Sequence, residues 1–232
     1  MNDPRPRIGI VVFPGSNDVA DAAWALGALG AEPVLAWHAD PELPAVQGIV
    51  LPGGFSYGDY LRSGAIARLA PAMLAVTELA AEGVPVLGIC NGFQILCEAG
   101  LLPGALRPNA SLEFVCRDVT VQVERTDTPF TSRCSAGQRL TIPVKHGEGC
   151  WYADAEVLQT VTDLDQVALR YAGLNPNGSV QNVAGVVNPE GNVLGLMPHP
   201  EHAVDPLLGS GDGALILASL VDAARERLLV SV

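Results

Sequence analysis

The sequence predicts an α/β fold: a doubly wound, mostly parallel sheet flanked by helices, with a smaller mixed or antiparallel extension. In the first half of the chain, apolar runs of strand length alternate with helical patterns, as a parallel sheet with crossover helices requires. From Ser111 onward the runs become β-branched and alternate in polarity, which is typical of mixed or antiparallel strands. At 232 residues the chain is long enough for a sizeable core, so we expect one domain over residues 1–232.

The elements of the first half follow from its apolar runs and its turn residues. A Pro-Gly-Ser-Asn turn ending at Asn17 separates the first strand from the first helix, and Gly30 is placed to end that helix. Gly100 is the expected cap of a later helix. The predicted strands are 8–13, 34–37, 48–51 and 84–89, and the predicted helices are about a dozen residues after Asn17, 71–82 and 91–99.

The second half is predicted to contain shorter strands and one long helix. A turn at 188–191 joins two apolar runs into a hairpin, because Asn-Pro-Glu-Gly combines residues that favour turns. The last apolar segment has helical spacing and is expected to return and cover the sheet. The predicted strands are 119–123, 140–144, 167–171, 184–187 and 193–197, and the helix is 213–229.

The junction at Cys90 has the pattern of a nucleophile elbow, in which a nucleophile sits at a sharp strand-to-helix turn. Gly88 and Gly92 flank the cysteine at the spacing that lets strand and helix approach closely. The start of the following helix offers unpaired N–H groups and a positive dipole end, which favour a thiolate at Cys90. The alternative is an ordinary core cysteine at a strand end, since cysteine is often a small buried hydrophobe.

His199 and Glu201 are a second pair of candidates, directly after the apolar run 192–197. Alternate side chains share one side of an extended chain, so this pair can provide the base and the orienting carboxylate that a cysteine nucleophile requires. The alternative is a loop histidine with a chance acidic neighbour. Because an elbow cysteine is also present, the catalytic interpretation is favoured.

A glycine turn at Gly53 and Gly54 ends a predicted strand that is expected to lie near the elbow strand. Its backbone N–H groups can face the N–H of Asn91, and two such donors form an oxyanion hole, where losing one costs ~100-fold or more in rate. The alternative is a plain tight turn, which Pro-Gly-Gly also signals. Together with Cys90 and His199, the turn indicates acyl transfer at an amide, ester or thioester through a covalent intermediate.

Composition and charge exclude several other classes of protein. The chain has 13 Lys and Arg against 25 Asp and Glu, a net charge of −12, which disfavours binding to nucleic acid or to an anionic membrane. No apolar run approaches the ~20 residues of a membrane span, and the N-terminus has no signal-peptide pattern, so we expect a cytoplasmic protein. The five cysteines are widely spaced and odd in number, which suggests neither a disulfide framework nor a zinc or other metal site.

Five longer motifs extend the pattern beyond these short segments. They are Phe-Pro-Gly-Ser-Asn ending at Asn17, Pro-Gly-Gly-Phe-Ser-Tyr-Gly-Asp beginning at Pro52, His-Gly-Glu-Gly beginning at His146, Tyr-Ala-Gly-Leu-Asn-Pro-Asn-Gly-Ser ending at Ser179, and Met-Pro-His-Pro-Glu ending at Glu201. With the cysteine elbow, they resemble the class I (triad) glutamine amidotransferases, and among these the glutaminase subunits of phosphoribosylformylglycinamidine synthase. The resemblance covers nearly the whole chain and implies a single glutaminase domain of flavodoxin-like fold.

The resemblance implies a role for each candidate residue. Cys90 attacks the side-chain amide of L-glutamine, and His199 protonates the departing ammonia and then activates water on the thioester. Glu201 orients His199, and Gly54 and Asn91 supply the oxyanion donors. Residues that bind the substrate glutamine are implied at Gly53, Gln94, Asn109, Ser111 and Phe114.

The resemblance also implies partners. The family delivers ammonia to a large, separate synthetase subunit, joined by a small bridging subunit, that uses ATP and magnesium to convert formylglycinamide ribonucleotide to formylglycinamidine ribonucleotide. This chain carries no Gly-x-x-x-x-Gly-Lys phosphate loop, so we expect no cofactor in the chain itself. His146 and Glu148 are assigned no chemistry, because the family places that segment near the partner surface.

One departure and two alternatives remain. The family usually has arginine directly after His-Pro-Glu, whereas this chain has His202, which we expect to be a solvated loop residue. The first alternative is another cysteine-elbow hydrolase of the same fold, although such proteins lack the late His-x-Glu pair. The second is a non-catalytic regulatory module, although such copies usually lose the nucleophile or the histidine.

Overall fold

The structure, a computed structural model, describes residues 5–230. Among these residues, nine strands form one mixed sheet, two further strands pair separately, and α-helices cover the sheet. The strands are β1 (Arg7–Val12), β2 (Glu32–Trp37), β3 (Gly48–Leu51), β4 (Val86–Ile89), β5 (Ala105–Arg107), β6 (Val115–Val123), β7 (Arg139–His146), β8 (Cys150–Tyr152), β9 (Val167–Tyr171), β10 (Val183–Val187) and β11 (Val193–Leu196). The helices are α1 (Val19–Ala28), α2 (Pro71–Ala81), α3 (Asn91–Glu98), α4 (Ala155–Asp163) and α5 (Gly213–Val230).

The order of strands confirms the predicted doubly wound sheet with an antiparallel extension. The order is β2-β1-β3-β4-β11-β10-β9-β6-β7, and the first five strands of this series are mutually parallel. From β11 onward, through β10, β9, β6 and β7, each neighbouring pair is antiparallel. The extension therefore continues the same sheet.

The burial of the strands explains their sequence patterns. β3, β4 and β11 lie in the middle of the sheet and are buried at every residue, so their sequences are continuous apolar runs. β7 alternates between buried and more exposed residues, as expected of a strand with one face on the core. The apolar run therefore predicts the central strands and the alternation predicts the extension.

The helices cover both faces of the sheet and hold the site at one end of it. α3 packs on β3, β4 and β11, whereas α1 and α5 contact each other and pack on β1. α5 thus returns to cover the sheet, as its spacing predicts. No helix among residues 5–230 is long and apolar enough to cross a membrane.

Three elements are absent from the sequence prediction. β5 and β8 are three-residue strands that pair only with each other, through Leu106 and Trp151, and are too short to show a period. α4 begins after Asp154, whose side chain caps the helix by accepting a hydrogen bond from the Val157 N–H at 2.9 Å. An aspartate at the N-cap position is the sequence feature from which this helix could have been predicted.

Candidate active site

Cys90 lies between the last residue of β4 and the first residue of α3, as the elbow pattern predicts. Its backbone has φ 51 and ψ −103, a conformation that L-residues rarely adopt. The Cys90 N–H donates to the Leu196 carbonyl at 2.8 Å, which ties the elbow to β11. The elbow therefore holds the sulfur at the C-terminal edge of the parallel strands.

Two glycines allow this sharp turn. A Cβ atom at Gly88 would lie 2.7 Å from the backbone of Gly92, and one at Gly92 would overlap the Leu51 carbonyl. Strand β4, its neighbour β3 and helix α3 therefore meet at backbone distance. Only glycine fits at these two positions without movement of the backbone.

His199 and Glu201 follow β11 and are both buried. The His199 N–H donates to the Pro143 carbonyl at 2.8 Å, which fixes the turn against β7. His199 Nδ1 donates to Glu201 Oε1 at 2.6 Å, while His199 Nε2 is buried and has no hydrogen-bond partner among the described residues. The imidazole is thus oriented by a carboxylate through one nitrogen and keeps the other for proton transfer.

The charges around His199 favour its protonated form. Burial opposes protonation, but the negative charges of Glu201 and Cys90 outweigh burial and raise the pKa of His199 above its usual value. The arrangement therefore favours an imidazolium next to the Cys90 sulfur. Such a pair combines an activated nucleophile with an acid ready to protonate a leaving group.

A cavity of about 220 Å³ brings the predicted nucleophile and base together. Five of the predicted site residues lie on its wall: Gly54, Cys90, Gln94, Phe114 and His199. Asn91 is the first residue of α3, so its N–H has no acceptor within the helix. Gly54 has φ 152 and a Cβ there would lie 2.6 Å from the Asn17 nitrogen, so the turn is packed against the loop before α1.

Three residues predicted to bind glutamine do not lie on the cavity wall. Gly53 is packed beneath the site, where a Cβ would come within 2.7 Å of His199 Cε1. Asn109 is fully buried and its side chain donates to the carbonyls of Glu113 and His146, both at 2.8 Å. Ser111 is exposed, and its Oγ accepts from the Glu113 N–H at 3.3 Å. In this structure Gly53 makes room for His199, Asn109 braces a loop and Ser111 shapes a turn, and their implied role in binding glutamine stays a prediction.

Gln94 and the loop 146–149 share the opposite part of the cavity. Gln94 Nε2 donates to the Glu148 carbonyl at 2.7 Å and its Oε1 accepts from Asn91 Nδ2 at 2.8 Å, so the amide is held by protein on both sides. Glu148 Oε2 accepts from Ser63 Oγ at 2.6 Å. Both His146 and Glu148 line the cavity, which the sequence analysis does not foresee.

His146 differs from His199 in its surroundings. Its Nδ1 donates to Asn109 Oδ1 at 3.0 Å, and Asn177 Nδ2 lies 3.5 Å from its Nε2. Burial, together with the positive charge of His199, lowers the pKa of His146 to about 4. The ring is therefore neutral near pH 7, and its nitrogens are engaged by amides.

Three further residues join the site from separate segments. Lys145 Nζ donates a hydrogen bond to Asp18 Oδ1, and His202 Nε2 donates to the same oxygen at 3.3 Å. The His202 side chain is 28% exposed and faces Asp18, so it is not the solvated loop residue that we expected. The one sequence feature that draws attention to this cluster is Lys145, because it is the only lysine in the chain.

Within residues 5–230, one group of side chains offers atoms close enough together to hold a metal ion. The group is Asp18, His199, Glu201 and His202, whose atoms lie within 4.8 Å of one another. Internal hydrogen bonds already engage these atoms, and the Lys145 ammonium supplies a positive charge to Asp18. This geometry suits proton transfer, so we assign no metal to the group.

Comparison with known proteins gives consistent matches over nearly the whole chain. Residues 5–210 match the family model described as a CobB/CobQ-like glutamine amidotransferase domain. The phosphoribosylformylglycinamidine synthase subunit PurQ of Rubrobacter xylanophilus is 57% identical over 219 residues, which cover 94% of this chain and 99% of that protein. The subunit of the same name from Frankia casuarinae is 53% identical and covers 94% of each chain. A chain in the structure of PurLQS from Thermotoga maritima aligns with a TM-score of 0.86 and 44% identity, covering 94% of this chain and 99% of that one.

Proposed function

The chain belongs to the CobB/CobQ-like glutamine amidotransferases and, among them, to the glutaminase subunits of phosphoribosylformylglycinamidine synthase; we propose that it hydrolyses L-glutamine at Cys90. Its place is thus in purine biosynthesis. The observation that carries the proposal is the elbow cysteine sharing one cavity with a buried His199 that Glu201 orients.

The proposed reaction has two stages. The Cys90 thiolate attacks the side-chain amide carbon of glutamine, and the N–H groups of Gly54 and Asn91 stabilise the oxyanion. His199 gives its proton to the amide nitrogen, the carbon–nitrogen bond breaks, and ammonia leaves behind a glutamyl thioester. His199, now neutral, takes a proton from water as the water attacks the thioester, and glutamate departs as the thiolate reforms.

The charges of the cavity support an amino acid as the substrate. Asp59 and Glu148 both line it, so negative charge is present for the ammonium group of an amino acid. Burial and the negative charge of Glu148 raise the pKa of Asp59 to about 6. An ammonium group between two such carboxylates relieves their repulsion, which supports a ligand with a free α-amino group.

We further propose that the chain acts with a large synthetase subunit and a small bridging subunit, and that the synthetase uses ATP and magnesium. Ammonia in water at neutral pH is mostly protonated and is then no nucleophile, so a protected route to the synthetase is needed. The relative from Thermotoga maritima is part of a structure named PurLQS, which supports such a complex. All five cysteines are free thiols, which supports a cytoplasmic location.

The test is steady-state hydrolysis of glutamine by the purified chain, with and without synthetase, bridging subunit and substrate nucleotide. We expect slow turnover by the isolated chain and a large increase in the complex, because a partner can shift the site to its competent state. A glutamine-mimicking electrophile should label Cys90 alone, as mapped by mass spectrometry. Full turnover by the isolated chain, unchanged in the complex, would instead indicate a free-standing hydrolase. No turnover in either state would indicate a regulatory module.

A further inference from the structure

A buried carboxylate lies beside His199 that the proposed reaction does not use. Asp18 immediately precedes α1, but its side chain makes no capping hydrogen bond to that helix. It is 3% exposed, and its Oδ2 lies 3.6 Å from His199 Nδ1. His199 therefore has two carboxylates near the same nitrogen, since Glu201 Oε1 is 2.6 Å away.

The other oxygen of Asp18 is held by positively charged or polar groups. Lys145 Nζ and His202 Nε2 both donate to Oδ1. Burial alone raises the pKa of Asp18, but these two hydrogen bonds and the positive charge of His199 outweigh burial and hold the pKa well below its usual range. Asp18 is therefore a carboxylate anion at neutral pH, shared between a lysine and the imidazole.

Lys145 also touches the nucleophile. Its carbonyl oxygen lies 3.8 Å from Cys90 Sγ, while its side chain reaches Asp18. One residue of β7 thus contacts the nucleophile through its backbone and the neighbourhood of the base through its ammonium. The chain has no other lysine, and the ammonium of this one is paired with Asp18.

A second anion near an imidazolium has a cost for catalysis. Each carboxylate within a few ångström favours the protonated ring, and a ring that holds its proton too tightly is a poor acid toward a leaving group. A cation bonded to the other oxygen of that carboxylate weakens its attraction for the ring proton. The pair Asp18 and Lys145 is therefore placed to orient the His199 ring and to set how strongly the ring holds its proton.

We propose that Asp18 and Lys145 form a positioning pair for His199, in which Asp18 is a second carboxylate on the imidazole and Lys145 limits the strength with which it holds the ring proton. The proposal rests on His199 being the proton shuttle of the proposed function. Neither residue acts on the substrate, and both act through His199. His202 donates to the same Asp18 oxygen and supports the pair.

Charged and titratable groups reach His199 from every element packed around it. Glu201 and His202 come from its own turn, and Cys90 comes from the elbow. The remaining groups are Asp18 from the loop before α1, Lys145 and His146 from β7, and Asp21 from α1 through its 3.9 Å approach to His202.

The test is the pH dependence of Cys90 alkylation by iodoacetamide in the purified full-length chain, with the modified residue mapped by mass spectrometry. The step at which the imidazolium loses its proton appears in this profile as a change in thiolate reactivity. Asp18→Asn removes an anion and should lower the pH of that step, while Lys145→Met removes the lysine cation from Asp18 and should raise it. We expect shifts of about 0.5 to 1 pH unit in these opposite directions.

Two sets of controls separate electrostatics from damage to the fold. Lys145→Arg keeps the charge and should restore the wild-type profile. Asp127→Asn and Arg125→Met alter a surface ion pair at 2.8 Å that does not line the cavity, and neither should move the step. Shifts of the same sign in Asp18→Asn and Lys145→Met, or no shift in either, would overturn the proposal.

A second measurement keeps the proposal testable if Lys145→Met does not fold. Reductive methylation with labelled formaldehyde gives one lysine signal in the carbon NMR spectrum, in addition to that of the N-terminus. We expect the Lys145 signal to titrate at the same pH as the Cys90 alkylation step in the wild-type chain, and to lose this response in Asp18→Asn. A Lys145 chemical shift that does not change at the pH of the alkylation step would overturn the proposed pair. Alkylation uses no glutamine, so these outcomes are independent of whether the complex hydrolyses it.

Discussion

The backbone of Cys90 combines strain with function. With φ 51 and ψ −103, a residue bearing a Cβ is held in a region that costs on the order of 1–3 kcal/mol. The cost is tolerated because Gly88 and Gly92 allow β4, β3 and α3 to pack around it. This conformation places the sulfur at the cavity instead of in the core, which separates Cys90 from an ordinary buried cysteine.

Substitution of the nucleophile should remove activity and keep the fold. We expect Cys90→Ala to reduce glutamine hydrolysis in the complex by a factor of about 10³ or more, since no other thiol can form the thioester. Cys97 lies on the same helix and contacts the Pro103 carbonyl at 3.7 Å, away from the cavity, so Cys97→Ala is the matched control and should be mild. Hydrolysis by Cys90→Ala within tenfold of wild type would contradict the assignment.

The strain at the elbow should also be measurable. Glycine adopts positive φ without the penalty of a Cβ, so Cys90→Gly should unfold at higher urea concentration than Cys90→Ala, by about 1 kcal/mol in free energy of unfolding. Both variants should be inactive, so the comparison isolates the backbone. Equal stability of the two would mean that the elbow stores no strain.

The histidine and its orienting carboxylate should differ in their importance. His199→Ala removes the proton shuttle, whereas Glu201→Gln keeps a hydrogen-bond acceptor near Nδ1 and loses only charge and geometry, so the first should lose more activity. Steady-state rates of glutamine hydrolysis in the complex give the ranking. His146→Ala serves as the control histidine, because its ring is neutral and bonded to amides. An inactive His146→Ala variant together with an active His199→Ala variant would instead assign proton transfer to His146.

At the scale of elements, the segment between β7 and β8 is held by buried polar side chains. Asn109 Oδ1 accepts from His146 Nδ1 and from the Gly149 N–H, both at 3.0 Å. Asn177 Oδ1 accepts from Ser179 Oγ at 2.7 Å, and Ser179 Oγ also accepts from the Trp151 N–H at 2.9 Å. The Asn-Pro-Asn-Gly-Ser motif thus supports the loop that forms one wall of the cavity.

This network should make stability depend on pH. The pKa of His146 falls from 6.5 to about 4 on folding, so between these values the unfolded chain binds more protons than the folded one. The stability from a neutral His146 is complete above 6.5 and is lost as the pH falls toward 4, by up to about 1.4 kcal/mol per pH unit. Urea unfolding of wild type and His146→Gln across this window should show a smaller slope for the variant. Identical slopes would contradict the burial of a neutral ring.

The sequence predicts those parts of the fold and site that are encoded locally. Central strands are apolar runs, the elbow is a short motif, and His199 and Glu201 are close in sequence, so each is visible in one window of residues. Asp18 and Lys145 belong to different segments and meet only because β7 folds against the loop before α1. The resemblance implies a glutamine-binding role for Asn109, and no sequence window shows that its side chain donates to the His146 carbonyl, because that contact joins distant segments.

At the scale of the whole molecule, the sheet places the last strand of the chain near its middle. β11 lies between β4 and β10, so its two neighbours are unpaired edges until it is inserted. β11 also positions both halves of the site, since it accepts the Cys90 N–H at Leu196 and leads into His199. The parallel and antiparallel parts of the sheet are therefore joined by the same strand that completes the active site.

The position of β11 has a consequence for synthesis on the ribosome. A nascent chain that has emerged only as far as β10 already carries the nucleophile but has no base, so incomplete translation products cannot consume glutamine. The same intermediates expose the edge of β4, which is a template for aggregation until the final strand arrives. Chaperones that shield strand edges should therefore bind ribosome-held chains that end before residue 193 and release those that extend beyond α5.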